Sequence, residues 1–180
     1  VNLNQINNKD IKEKISKIKK NFKSIGVKKN ILILDTSHDD NKNYNEQLML
    51  SKKVNYFYSK IIDFASNDKK VGLIIKPKKS LDYLDKDIKK KISNLAKNKK
   101  IYVENNFKVP VKNFAKISDF AISLTVDSLP SAMLEALCEN KKLRCVFYDY
   151  PKCSKKEKIF SWGNKKVFFN NLDNMLETVK

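Results

Sequence analysis

Two polar stretches hold the side chains of this chain best suited to chemistry. The first, Asp35-Thr36-Ser37-His38-Asp39-Asp40, combines hydroxyls, carboxylates and the only histidine present. The second, Thr125-Val126-Asp127-Ser128-Leu129-Pro130-Ser131, runs into a segment that carries Glu135. Pro130 suits the first turn of a helix, and Ser128 just ahead of it suits the N-cap. A helix starting there would aim backbone N–H groups and a positive dipole end outward, an arrangement that holds phosphate. Asp127 and Glu135 are eight residues apart, so one carboxylate can sit at the helix start and the other two turns in. The same spacing also describes a simply capped helix with a surface glutamate. His38, beside Thr36 and Ser37, is either an incidental loop histidine or a contact for a diphosphate or sugar. It has no partner pattern for a metal site, and Asp39-Asp40 reads as an acidic turn before it reads as a cation site.

The elements that must position these loops follow from hydrophobic periodicity. Short apolar runs rich in β-branched residues occur at 31–34, 71–75, 101–103, 120–124, 143–147 and 167–169. They lack polar alternation, as strands buried on both faces do. Segments of helical period lie between them. Residues 46–66 carry Leu48, Val54, Phe57, Ile61 and Phe64, and residues 81–95 carry Leu81, Leu84, Ile88, Ile92 and Leu95. Phe114 with Ile117, Met133 with Leu137, and Leu172 with Met175, Leu176 and Val179 mark three more. Ahead of all of these, Ile11, Ile15, Ile18 and Phe22 predict a helix over 9–23, with Gly26 as its stop.

This alternation predicts an α/β fold: a parallel sheet of five or six strands, helices on both faces, and an extra N-terminal helix. Ligands of such sheets bind beyond the carboxyl ends of the strands, where strand order reverses. With the order 3-2-1-4-5-6, that crevice would lie between the two polar loops. The expected division is an N-terminal helix and linker over 1–29 and a nucleotide-binding domain over 30–180.

Composition narrows the function. Of 180 residues, 41% are hydrophobic and 10% aromatic, a globular composition able to build its own core. No apolar run approaches the ~20 residues of a membrane-spanning helix. The net charge is +18, yet Arg144 is the only arginine among 38 basic residues. Specific nucleic-acid sites favour arginine for its bidentate fork. Lysine dispersed over every segment reads as a solvated surface, or as a field attracting anions, including an anionic membrane surface. Cys138, Cys145 and Cys153 show no C-x-x-C pairing, so reduced thiols in the cytoplasm are expected.

Asp127-Ser128-Leu129-Pro130-Ser131-Ala132-Met133-Leu134-Glu135-Ala136-Leu137 resembles the nucleotide-sugar motif in the C-terminal domain of GT-B glycosyltransferases. That pattern has an acidic residue, then Pro, then Glu-Ala-Leu or Glu-Ala-Met. The preceding Ile117-Ser118-Asp119-Phe120-Ala121-Ile122-Ser123 is similar to the family's approach to this strand. Asn140 stands where the family has a helix-ending Gly, and asparagine tolerates the left-handed cap conformation. The resemblance spans about residues 30–180 and is most specific over 118–137. It implies a Rossmann-like, doubly wound donor-binding domain. Glu135 would hold the donor ribose hydroxyls, and Ser128, Ser131 and the adjoining amides would hold the diphosphate. Lys76, at the end of the second strand, would be a point charge against that diphosphate, with neither Lys76 nor Glu135 in the core. Thr36 and His38 would line the opposite side, and Asp127 would face the donor sugar as the catalytic residue. The family often has Gly and a basic residue where this chain has Asp35-Thr36-Ser37-His38, and a Glu where it has Asp127.

In such enzymes a second, N-terminal Rossmann-like domain completes the site, and residues 1–30 are too short to supply it. The reading is therefore the donor-binding half of a glycosyltransferase in polysaccharide biosynthesis. It would act in the cytoplasm, or peripherally at the inner membrane, on a glycan or lipid-linked acceptor. The donor substrate takes the place of any cofactor, and no metal is expected. Two other functions fit the same fold: a nucleotide-sugar 2-epimerase, and a non-catalytic binding module. Tyr148, Tyr150 and Trp162 could pack the core or line the acceptor side.

Overall fold

A computed structural model describes residues 8–35, 44–78, 80–106, 108–125, 130–148, 163 and 165–180. Six strands form one all-parallel sheet: β1 (Lys29–Leu34), β2 (Val71–Lys76), β3 (Ile101–Val103), β4 (Phe120–Leu124), β5 (Arg144–Tyr148) and β6 (Phe168–Phe169). Their order is β3-β2-β1-β4-β5-β6, as the expected crevice required. The fold is thus a Rossmann-like, doubly wound α/β sheet. Strands β2 and β4 are buried along their whole length and β1 from Ile31 onward, because they are covered twice.

The helices divide between the two faces. Helices α2 (Tyr44–Asn67), α3 (Lys86–Lys97) and α6 (Leu172–Glu177) bury Phe57, Tyr58, Ile61, Ile88, Ile92 and Met175 against Ile31, Ile33, Leu73 and Ile122. Helices α1 (Asn8–Ser24), α4 (Lys112–Ala115) and α5 (Ser131–Glu139) bury Ile18, Phe22, Phe114 and Met133 against Leu32, Leu34, Ile74 and Ala121. Alternate residues of each strand therefore serve opposite cores.

Helix α1 packs directly on the sheet. Its end is a Schellman turn: Val27 N donates to Phe22 O and Gly26 N to Lys23 O, with Gly26 at φ +79°. The turn folds Val27 back beside Phe22, and both side chains fill the space over Gly72. A Cβ on Gly72 would meet Phe22 at 2.9 Å and Val27 at 3.0 Å. A strand glycine is used here for close approach of a helix.

Three local expectations need correction. The helix expected over 81–95 begins at Lys86; Leu81 and Leu84 lie in the preceding turn, where Leu84 N donates to Leu81 O. They pack on the same core as α3, so the apolar spacing runs on across the helix start. In α5 the buried pair is Met133 and Ala136, while Leu137 is 38% exposed and Leu134 54%. Asn140 does not adopt the left-handed conformation; its φ is −130°. Its side chain acts instead, donating from Nδ2 to Ala115 O at 2.8 Å and Ser118 O at 3.2 Å and so binding the end of α5 to α4. Among the described residues no helix is long and apolar enough to cross a membrane.

Because Phe22 joins α1 to the sheet, Phe22→Ala should cost about 3–5 kcal/mol of unfolding free energy. Urea denaturation followed by circular dichroism would measure it, and a loss below 1 kcal/mol would show that α1 contributes little to the fold.

Candidate functional site

The carboxyl edge of the sheet gathers the polar residues of the strand ends, and strand alternation sorts them onto two faces. Leu34 is in register with Lys76 on one side and Ser123 on the other. Leu34 belongs to the core beneath α1, α4 and α5, so Lys76 emerges on that face. It is only 6% exposed. Lys76 Nζ donates to Asn106 O at 3.4 Å. Burial lowers its pKa, the carboxylates of Glu104 and Glu135 hold it up, and Lys14 presses it down. Lys76 was expected outside the core and is instead enclosed, because the last residue of a doubly covered strand is still under its helices.

Glu104 directly follows β3 and is 3% exposed. Its Oε2 accepts from Lys14 Nζ at 2.7 Å and Tyr102 Oη at 2.9 Å, and its Oε1 accepts from Asn106 N at 2.8 Å. Glu135, on the second turn of α5, is exposed, as expected. Its Oε1 accepts from Lys112 N at 3.3 Å, at the start of α4. That contact leaves Oε2 and further lone pairs able to accept.

The N-cap of helix α5 lies two residues later than the Ser128 expected from sequence. Pro130 is the N-cap, with φ −62° and ψ 125°, and the first helical residue is Ser131. The extended ψ of Pro130 puts it just outside the helix, although its carbonyl already receives Met133 N at 2.9 Å. Among the described residues no side chain caps this end. Close by in sequence, at the end of β4, Thr125 is fully buried. Its backbone N–H donates to Tyr148 O at 2.9 Å. Its Oγ1 has no hydrogen-bond partner among the described residues. A buried hydroxyl in that condition costs about 1–3 kcal/mol, and a ligand oxygen would supply the missing partner.

The other face carries Asp35, immediately after β1. Tyr83 Oη donates a short hydrogen bond to Asp35 Oδ2, and Tyr58 Oη donates to the same oxygen at 3.4 Å. Burial pushes the Asp35 carboxyl up to about 6, against the opposing effect of the two tyrosines and Lys78. The same burial raises both tyrosine hydroxyls. Tyr148, at the end of β5, stacks on Phe57 with centroids 6.1 Å apart, which makes it a packing residue on this side.

Of the residues singled out from sequence, Lys76 and Glu135 come close enough to interact electrostatically, and Ser131 opens α5. Thr36, His38, Asp39, Asp40, Asp127, Ser128, Tyr150, Cys153 and Trp162 lie outside the described residues. Cys138 and Cys145 are free thiols, and burial raises Cys145 to about 12. Sequence reasoning passed over Glu104, and it named Asp35 and Thr125 only as the first residues of the two polar stretches, without a role. Each directly follows a buried strand, and that position was the signal available. No protein-family model, curated protein or solved structure matches this chain.

Two outcomes follow. Below about pH 4 Asp35 is protonated folded and unfolded, and its burial costs nothing. Between about pH 4 and 6 the unfolded chain gives up the proton first, so stability falls as pH rises through the folded value. From 3.8 to about 6 the shift corresponds to about 3 kcal/mol. Asp35→Asn should therefore be more stable than the wild type at neutral pH, with the difference closing towards pH ~4 in thermal melts. Thr125→Val should raise the unfolding free energy by about 1 kcal/mol by removing an unsatisfied hydroxyl; a loss of stability would mean that the hydroxyl is already satisfied.

Proposed function

We propose that this domain binds a nucleoside-diphosphate sugar and forms the donor-binding half of a glycosyltransferase. The observation that carries this reading is the placing of Lys76 within electrostatic reach of Glu135 at the carboxyl edge, beside the strand-order reversal between β1 and β4. A sugar nucleotide presents two chemistries there. Its diphosphate needs donors and positive charge, and its ribose needs an acceptor for vicinal hydroxyls. Lys76 answers the first, together with the amides of the first turn of α5 and the hydroxyl of Thr125. Glu135 answers the second, since a carboxylate accepts from two hydroxyls at once.

In transfer, negative charge grows on the diphosphate as the sugar leaves. Groups already fixed around that oxygen lower the barrier because they need no reorganisation at that moment. Lys76 is fixed by burial, and α5 by its packing through Met133 and Ala136. The roles of Asp127 toward the sugar and of Ser128, Ser131, Thr36 and His38 toward donor contacts belong to the same proposal. So do a second domain bringing the acceptor, a surface polysaccharide or glycolipid, and a cytoplasmic setting at the membrane face.

Calorimetric titration with uridine, guanosine, adenosine and cytidine diphosphates tests this. One nucleotide should bind preferentially, and Glu135→Ala should weaken it about ten- to hundred-fold, the loss of charge-assisted contacts of about 1.5–3 kcal/mol. Lys76→Met should weaken the diphosphate and leave the bare nucleoside nearly unchanged. Equal binding of every phosphate, insensitive to Glu135→Ala and abolished by salt, would reduce the domain to a diffuse lysine field.

A further inference from the structure

A chain of contacts runs from α1 to Lys76 through a carboxylate that the donor-site residues do not include. Lys14 Nζ of α1 donates to Glu104 Oε2 at 2.7 Å, and Tyr102 Oη of β3 donates to the same oxygen at 2.9 Å. Glu104 Oε1 receives Asn106 N at 2.8 Å. The carbonyl of that same Asn106 receives Lys76 Nζ at 3.4 Å. Glu104 is almost completely enclosed, while its partner Lys14 is one-third exposed. A buried carboxylate that holds the N–H of a residue, whose own carbonyl holds an ammonium, fixes where that ammonium sits. We infer that Glu104 is the positioning residue of the anion site, setting the place and charge of Lys76 through Asn106, and that α1 tunes it through Lys14.

Among the described residues three charged groups act on Lys76 from the elements around it: Glu104 after β3, Glu135 on α5 and Lys14 on α1. The two carboxylates favour the ammonium and Lys14 opposes it, while burial disfavours it. Lys14 is thus paired with Glu104 yet works against Lys76. This gives the inference a sign that loss of packing cannot imitate. Removing the charge of Glu104 must make Lys76 lose its proton at lower pH. Removing the charge of Lys14 must make it lose its proton at higher pH. Damage to the fold would move both in the same direction or blur both.

The inference rests on the reading of Lys76 as an anion-binding lysine, but its central measurement needs no ligand. In the full chain labelled with 13C at lysine Cε, the Lys76 resonance is identified by its absence from Lys76→Met. Its titration is then followed in the wild type, Glu104→Gln and Lys14→Gln. The expected result is a midpoint below the wild type in Glu104→Gln and above it in Lys14→Gln. An unmoved midpoint in Glu104→Gln, or shifts of the same sign in the two variants, would overturn the inference. If Glu104→Gln does not fold, Lys14→Gln decides alone: its lysine is partly exposed, and a midpoint unchanged or lowered overturns the inference.

Pyrophosphate affinity measured over the same pH range separates the two readings. Where Lys76 is fully protonated, Glu104→Gln should bind pyrophosphate as well as the wild type or better, because a repelling carboxylate is gone. On the alkaline side its affinity should fall earlier than that of the wild type. Failure of the wild type to bind pyrophosphate would count against the donor-site reading, with the Lys76 titrations still deciding the role of Glu104. Binding with superimposable pH profiles in wild type and Glu104→Gln would remove Glu104 from the site and leave the donor reading standing.

Discussion

Strands β1 and β4 lie side by side in the middle of the sheet, and the helices that follow them, α2 and α5, cover opposite faces. Everything else at the carboxyl edge depends on that reversal. Between neighbouring strands whose crossovers leave in the same direction, the next helix closes over the strand ends. Between β1 and β4 it cannot, and an opening is left where the chain must place loops. The apolar strand interiors make the arrangement rigid, because a slip of one residue would exchange the two cores that alternate residues serve.

That rigidity is what allows ionisable groups to sit where water is scarce. Lys76 and Glu104 on one face, and Asp35 on the other, are all held at strand ends under helices. Their solutions differ. The lysine side is a network in which Glu104 is paired with Lys14 and both carboxylates, Glu104 and Glu135, act on Lys76. Asp35 has two tyrosine donors on one oxygen and, among the described residues, Lys78 as its one cationic influence, so burial dominates and its carboxyl stays easier to protonate. A carboxyl whose burial pushes its pKa up, at the end of β1, marks a place where the fold gives up stability.

The surface around this edge is of a different kind. Lysine spread over the helices contributes a long-range positive field, which salt screens within about 8 Å at physiological strength. Enclosed Lys76 is screened far less. Helix α5 departs from this polar pattern, with Leu134 and Leu137 exposed.

The sequence by itself determined the class of the fold. Six buried strand runs, separated by segments of helical period, admit little besides a parallel sheet covered on both faces. The stop at Gly26 was legible because only a residue without Cβ adopts φ +79° without strain. Glu135 could be assigned to an exposed helix face from its spacing. Periodicity could not fix where α3 begins, since Leu81 and Leu84 fill the same core from a turn, nor that Asn140 would act through its side chain. It could not show that Lys76 is enclosed. Burial of a strand-end residue depends on which helices overhang it, and α1, the Glu104 turn and α5 are brought there from sequence positions up to ~60 residues away. The charge on Lys76 and the proton on Asp35 were likewise decided only by tertiary structure, because both depend on desolvation and on partners distant along the chain.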